Sequence, residues 1–221
     1  MKKAEHPPEN ISRARPLEFI AILVTGAGQV LTDSLARGGG LPKVFGLEAD
    51  AVFNLVASVM WASYLVFRMT TTPALIRSWG FRKDNLLNGA IINGVLLAIA
   101  IPCILLLGYW LGRFPLPGSF WLALSVYPAW GIAQQFALQN LVQRNLAAWV
   151  SGPSARTLLT ATFFSLAHAP DYPLMVLTFL AGSILTWVYL RVPNIWMLGL
   201  CHGILGTMAY YIILGRNPLG F

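Results

Sequence analysis

With 221 residues, 57% of them hydrophobic, and a mean hydropathy of +0.65, this chain is far from the profile of a soluble domain. Only 10% of its residues are charged, against roughly 25% in soluble domains, so it reads as a polytopic membrane protein. The net charge of +7 comes from Lys and Arg standing singly or in small groups between apolar stretches, without a basic helix or an aromatic-interleaved patch. That pattern speaks against nucleic acid as a partner and for anionic lipid headgroups.

Residues 1–16 are polar, carry Lys2, Lys3, Arg13 and Arg15, and lack the apolar core and cleavage site of a signal peptide. They are expected to remain as a cytoplasmic tail. A single transmembrane helical domain is expected over 17–214, with a short tail at 215–221. A bilayer crossing takes about 20 mainly apolar residues. On that measure about seven spans (six to eight) are expected, at about Leu17–Leu35, Ala51–Met69, Leu86–Gly112, Ser119–Trp149, Thr157–His168, Leu174–Leu190 and Asn194–Leu214. The fold class is therefore all-α, a polytopic transmembrane helical bundle. The fourth span is longer than one crossing needs, and the fifth is short and closed by Pro170 and Pro173.

The breaks between spans have local causes. Gly38-Gly39-Gly40-Leu41-Pro42 separates the first two, and Pro73 with the basic run Arg77 to Lys83 the next. Pro115-Leu116-Pro117-Gly118 and Ser151-Gly152-Pro153 follow. Placing the N-terminus inside puts eleven of the fifteen Lys and Arg on the inner side, as the positive-inside bias requires. Trp61, Trp79, Trp110, Trp121, Trp149 and Trp196 fall near span ends, where interfacial anchors sit. The expected location is integral to a membrane, the bacterial inner membrane, with the N-terminus cytoplasmic.

The polar residues inside these spans are the candidates for chemistry. Gln135, Gln139 and Gln143 recur at i, i+4 and i+8, which stacks them as one stripe on one helix, and Gln134 flanks them. An amide in hydrocarbon needs partners, so the stripe either bonds to other helices or lines a polar cavity. His168 and His202 are the histidines outside the tail, both in or beside apolar stretches. Each is either a hydrogen-bonded packing residue or a group able to shuttle a proton, donate to an oxyanion or bind a metal. Asp171, three residues past His168, either orients that imidazole or is a solvated residue opening a loop. Asn54, Asn88 and Asn93 read as interhelical bonds, and Gly182 and Ser183 as close-packing points. Two His and one Asp make a thin ligand set for zinc, so neither a metal nor a cofactor is expected.

Taken in order, these residues resemble the motifs of the CAAX-protease and bacteriocin-processing family. These are intramembrane glutamic proteases that include the Ras-converting endoprotease and Abi-type proteins. Its motifs are E-E-x-x-x-R, then F-x-x-x-H, then H-x-x-x-N/D. Here Gln134 and Gln135 occupy the two Glu positions and Gln139 the Arg position. Phe164 and His168 match the second motif in full, and His202 the third, with Gly206 in place of Asn or Asp. The likeness covers residues 130–210, continuing through Trp187-Val188-Tyr189-Leu190-Arg191 and Pro193-Asn194.

The resemblance implies a CAAX-endoprotease-like bundle in which the first Glu activates water and the histidines stabilise the oxyanion or assist that base. An amide has no useful basicity near neutral pH and cannot take that role. Three charges have been replaced together by three neutral amides, so no unpaired ion is left in the bundle. The expected function is a non-standard or non-proteolytic relative, of pseudoenzyme type, that binds a peptide, an isoprenoid or lipid, or a partner's helix. Gln134, Gln135, Gln139, Gln143, Phe164 and Asp171 are the candidate binding residues. Two alternatives stand beside it: an atypical membrane enzyme using His168 and His202 as candidate catalytic groups, and a structural subunit of a membrane complex.

Overall fold

The computed structural model describes residues 15–44 and 46–218. Nearly all of the expected N-terminal tail, and residues 219–221 of the C-terminal one, lie outside the described residues. The described chain is helical, with a single isolated bridge between Val44 and Leu47. Its helices are α1 (Pro16–Arg37), α2 (Ala49–Thr71), α3 (Ala74–Ser78) and α4 (Leu86–Trp110). Then come α5 (Gly118–Phe136), α6 (Pro153–Leu166), α7 (Tyr172–Arg191) and α8 (Ile195–Met208). Two of them change pitch without ending. α5 runs on through π turns at Ala137–Gln143 into Arg144–Leu146, and α8 through π turns at Ala209–Leu214.

Five helices have the length and hydropathy of a crossing helix: Pro16–Ala36, Ala49–Thr71, Leu86–Trp110, Tyr172–Arg191 and Ile195–Leu214. They coincide with five of the expected spans. The expected fourth and fifth spans exist as helices but fall outside this set. α5 carries Pro128 and ends on Gln134 and Gln135, and α6 has only 14 residues. α3 is an additional short helix within what reads from sequence as a basic loop.

The centre of the bundle is the α5–α8 pair, and glycine makes it. A Cβ at Gly199 would lie 2.4 Å from the Cα of Ile132, and one at Gly203 would lie 2.4 Å from the Cα of Pro128. On the facing side, a Cβ at Gly131 would lie 2.5 Å from the carbonyl oxygen of Gly199. The two backbones touch because glycine stands at Gly131, Gly199 and Gly203, so that Gly199 and Gly203 leave room for Ile132 and Pro128 of the facing helix. Around it Leu75, Trp79, Phe136, Leu185, Tyr189, Ile195 and Leu198 form the main apolar core. α6 and α7 pack together through Gly182, where a Cβ would meet the Cα of Ala161 at 3.1 Å and Phe164 at 3.2 Å.

The α3–α4 connection is pinned at one end of this core. Asn140 and Tyr189 both donate to the carbonyl of Trp79, at 3.1 and 3.2 Å. Asn194 donates to the carbonyl of Arg82 and to Asn85, while its own Oδ1 caps α8 at the Met197 N–H. Trp79 is 2% exposed, so it is a core residue and not the interfacial anchor its position near a span end suggests. Asn93 likewise bonds back to the Gly89 carbonyl of its own helix instead of crossing to another.

Candidate functional site

The seam between α5 and α8 brings Gln134 against His202. The ring Nε2 lies 3.0 Å from Gln134 Oε1. An amide oxygen only accepts, so Nε2 carries the proton here and Nδ1 of His202 is the unprotonated nitrogen. His168 lies at the end of α6, where its Nδ1 is 2.7 Å from the carbonyl oxygen of Phe164. That carbonyl also only accepts, so Nδ1 holds the proton and Nε2 keeps its lone pair. The Phe164 ring joins the two histidines, at 5.0 Å from the His168 ring and 5.6 Å from the His202 ring. Gln134, Phe164, His168 and His202 thus form one group, contributed by α5, by α6 with the turn that follows it, and by α8. His202 is buried and His168 half-buried.

The other glutamines point elsewhere. Gln139 donates to Gln135 at 3.1 Å and to Thr186 of α7 at 3.0 Å, so this part of the stripe bonds α5 to α7. Gln135 and Gln139 are fully buried and Gln143 nearly so. Gln135 Nε2, Gln139 Oε1 and Gln143 Nε2 have no partner among the described residues. A buried amide group left this way costs about 1–3 kcal/mol unless water reaches it.

Asp171 is the N-cap of α7. One oxygen accepts from the Leu174 N–H at 3.3 Å and the other pairs with Arg216. These contacts anchor the start of α7 to the end of the chain, and none of them is to His168.

Tyr127 is a residue that sequence reasoning did not single out. A Cβ at Gly206, where the resemblance expects Asn or Asp, would lie 3.0 Å from Tyr127 Cε1. The Tyr127 ring stands edge-on to Tyr210, 6.1 Å away, and fills the space beside Gly206. No local signal marks it, because the pairing of 127 with 206 depends on the α5–α8 register. No three His, Cys, Asp or Glu side chains come together among the described residues.

A second missed group lies away from the histidines. Glu18 of α1 pairs with Arg68 at the end of α2, accepts from Tyr64 at 2.5 Å, and receives Asn145 at 3.3 Å. Arg15 adds its backbone N–H to Asn145 at 2.8 Å. The signal was present: one acid at the start of the first span and one base at the end of the second meet when a hairpin closes.

Residues 115–208, about 40% of the chain, match the family described as type II CAAX prenyl endopeptidase Rce1-like. The matched segment contains Gln134, Phe164, His168 and His202. No curated protein and no solved structure matches the chain.

Proposed function

We propose that the chain is a divergent CAAX-endoprotease-like membrane protein that holds a peptide, free or prenylated, at the Gln134–His202–His168 group without cleaving it. The observation that carries this reading is the Gln134–His202 hydrogen bond. A neutral amide stands where the family places its general base, already bonded to one of the two histidines. The group offers the lone pairs of His168 Nε2 and of the more deeply buried His202 Nδ1, and the amide N–H donors of Gln134. A backbone amide of a bound peptide presents the complementary N–H and C=O. The uncharged character of the group favours such a neutral ligand over an ion. The same reading takes α5 and α6 as membrane-embedded, places the chain in a bacterial inner membrane and sets the N-terminus on the cytoplasmic side. The Lys and Arg distribution supports the orientation.

The test is binding and hydrolysis of prenylated and unprenylated peptides ending in a CAAX-type sequence, measured on the same detergent-purified protein. Wild type is expected to bind without releasing product. Gln134→Ala and His168→Ala should weaken binding about 3- to 10-fold, the worth of one neutral hydrogen bond. Hydrolysis by wild type that His168→Ala abolishes would overturn the proposal. It would favour instead the enzymatic reading, to which the half-buried, unprotonated Nε2 of His168 gives specific support.

A further inference from the structure

A groove of about 660 Å³ runs between α1 and α2, remote from the histidines. Leu17, Ala21, Met60 and Trp61 form its apolar walls, and Trp61 donates to Thr25 at 3.1 Å where the two helices meet. Arg15, Glu18 and Tyr64 close one end. We propose that this groove is a binding site for one anionic phospholipid, its acyl chain along α1 and its phosphate on Arg15.

Shape suits a chain. On α1 the lining runs from Arg15 to Thr25, about 15 Å at 1.5 Å per residue. An extended hydrocarbon chain can lie along this apolar channel with its polar end at Arg15.

Charge selects the headgroup. Both Glu18 oxygens are engaged inside the cluster, one with Arg68 and Tyr64 and the other with Asn145. Arg15 approaches that carboxylate only at 4.0 Å, and its side chain is 55% exposed. Three guanidiniums, Arg68, Arg15 and the half-buried Arg144, therefore share the field of one carboxylate among the described residues, and the exposed part of the surplus positive charge sits on Arg15, at the end of an apolar channel. A phosphate carrying a hydrocarbon chain satisfies both features; a zwitterionic lipid adds its own cation next to Arg15. This inference is independent of the histidine group.

The full chain is reconstituted in phosphatidylcholine vesicles containing graded phosphatidylglycerol or phosphatidylcholine with brominated acyl chains. Tryptophan quenching is read for wild type and for Trp61→Phe, and their difference isolates Trp61. That component should be quenched at least threefold more effectively by the brominated anionic lipid than by the brominated zwitterionic one. Arg15→Gln should abolish the preference, and Ala21→Phe, or Ala21→Leu if the former misfolds, should reduce quenching by both lipids. Millimolar inorganic phosphate should leave the preference intact, since a headgroup alone lacks the chain. Equal quenching by the two lipids in wild type, a preference that survives Arg15→Gln, or its loss to inorganic phosphate would each overturn the proposal. So would exclusion of both lipids from Trp61, the result expected if a second copy or a partner helix covers the groove.

Discussion

Glu18 and Arg68 show how a charge is kept inside a hairpin of apolar helices. Their side chains are 11% and 9% exposed, and Tyr64 and Asn145 supply the remaining hydrogen bonds. Breaking such a pair from one side leaves a buried ion uncompensated, at a cost of about 3–5 kcal/mol. Glu18→Gln is expected to lose about that much in an unfolding titration in mixed micelles, and the Glu18→Gln/Arg68→Gln double variant to recover most of it. A double variant as unstable as the single one would contradict the pairing. Asp84, in the loop after α3, is the opposite case. It is exposed, and the hydrogen bond from Arg82, helped by the nearby charge of Arg77, holds its carboxyl down at about 2. The folded value lies below the unfolded one of roughly 3.9. Its contribution to stability is therefore present above pH 4 and lost as the pH falls toward 2. Melting midpoints of wild type and Asp84→Asn should differ at pH 7 and converge near pH 2; a constant gap would refute the assignment.

At the scale of elements, the α5–α8 crossing decides where the candidate site lies. Gly203→Ala puts a methyl where Pro128 Cα stands at 2.4 Å, and backbone cannot yield as a side-chain tip does. Overpacking of this kind costs about 1–3 kcal/mol. The variant should lower the melting midpoint and also weaken peptide binding, since Gln134 and His202 are on the two helices it pries apart. Loss of stability with unchanged binding would show that the site does not depend on this seam. Most helices were legible in the sequence because a run of apolar residues bounded by glycine and proline leaves few alternatives. The π turns of α5 were not, since hydropathy records which residues are apolar but not the pairing of N–H with C=O. The regular stripe of Gln135, Gln139 and Gln143 was read at α-helical pitch, and it is within those turns that Gln139 and Gln143 lie. His168 and His202 were picked out as separate polar points in apolar stretches. Their joining through Phe164, and the turning of Gln134 away from its three neighbours, belong to tertiary packing.

The whole molecule divides into a well-packed body and a lightly attached hairpin. Of the spanning stretches of α7 and α8, 33% and 50% is buried within the protein, against 6% for α1, 0% for α2 and 6% for α4; α4 differs from the hairpin in packing Ile92, Leu96 and Leu97 on the main core. The hairpin is held by the Glu18 cluster, by Phe19 against Phe163 and Trp149, and by apolar contacts such as Ile22. Amide hydrogen exchange in rising concentrations of a denaturing detergent should release α1 and α2 first, with α5, α7 and α8 following together. Simultaneous exchange throughout would show a single cooperative unit. The matched segment, 115–208, contains α5 to α8. The part of the chain that resembles a known family is thus the body of the molecule without α4, and the proposed lipid groove is in the hairpin outside it.

Gly131, Gly199 and Gly203 also have an entropic meaning. Ordering a long side chain at a helix contact costs up to about 2 kcal/mol in lost rotamers, whereas glycine has none to lose. The contact that sets Gln134 against His202 is made largely by main chain, with Ile132 and Pro128 against the glycines, and the glycine side of it has no alternative side-chain states to explore. Whatever freedom the seam gave up was given up when the bundle formed. The ligand proposed for the histidines would therefore meet a surface already in shape, with little of its binding energy going into arranging it.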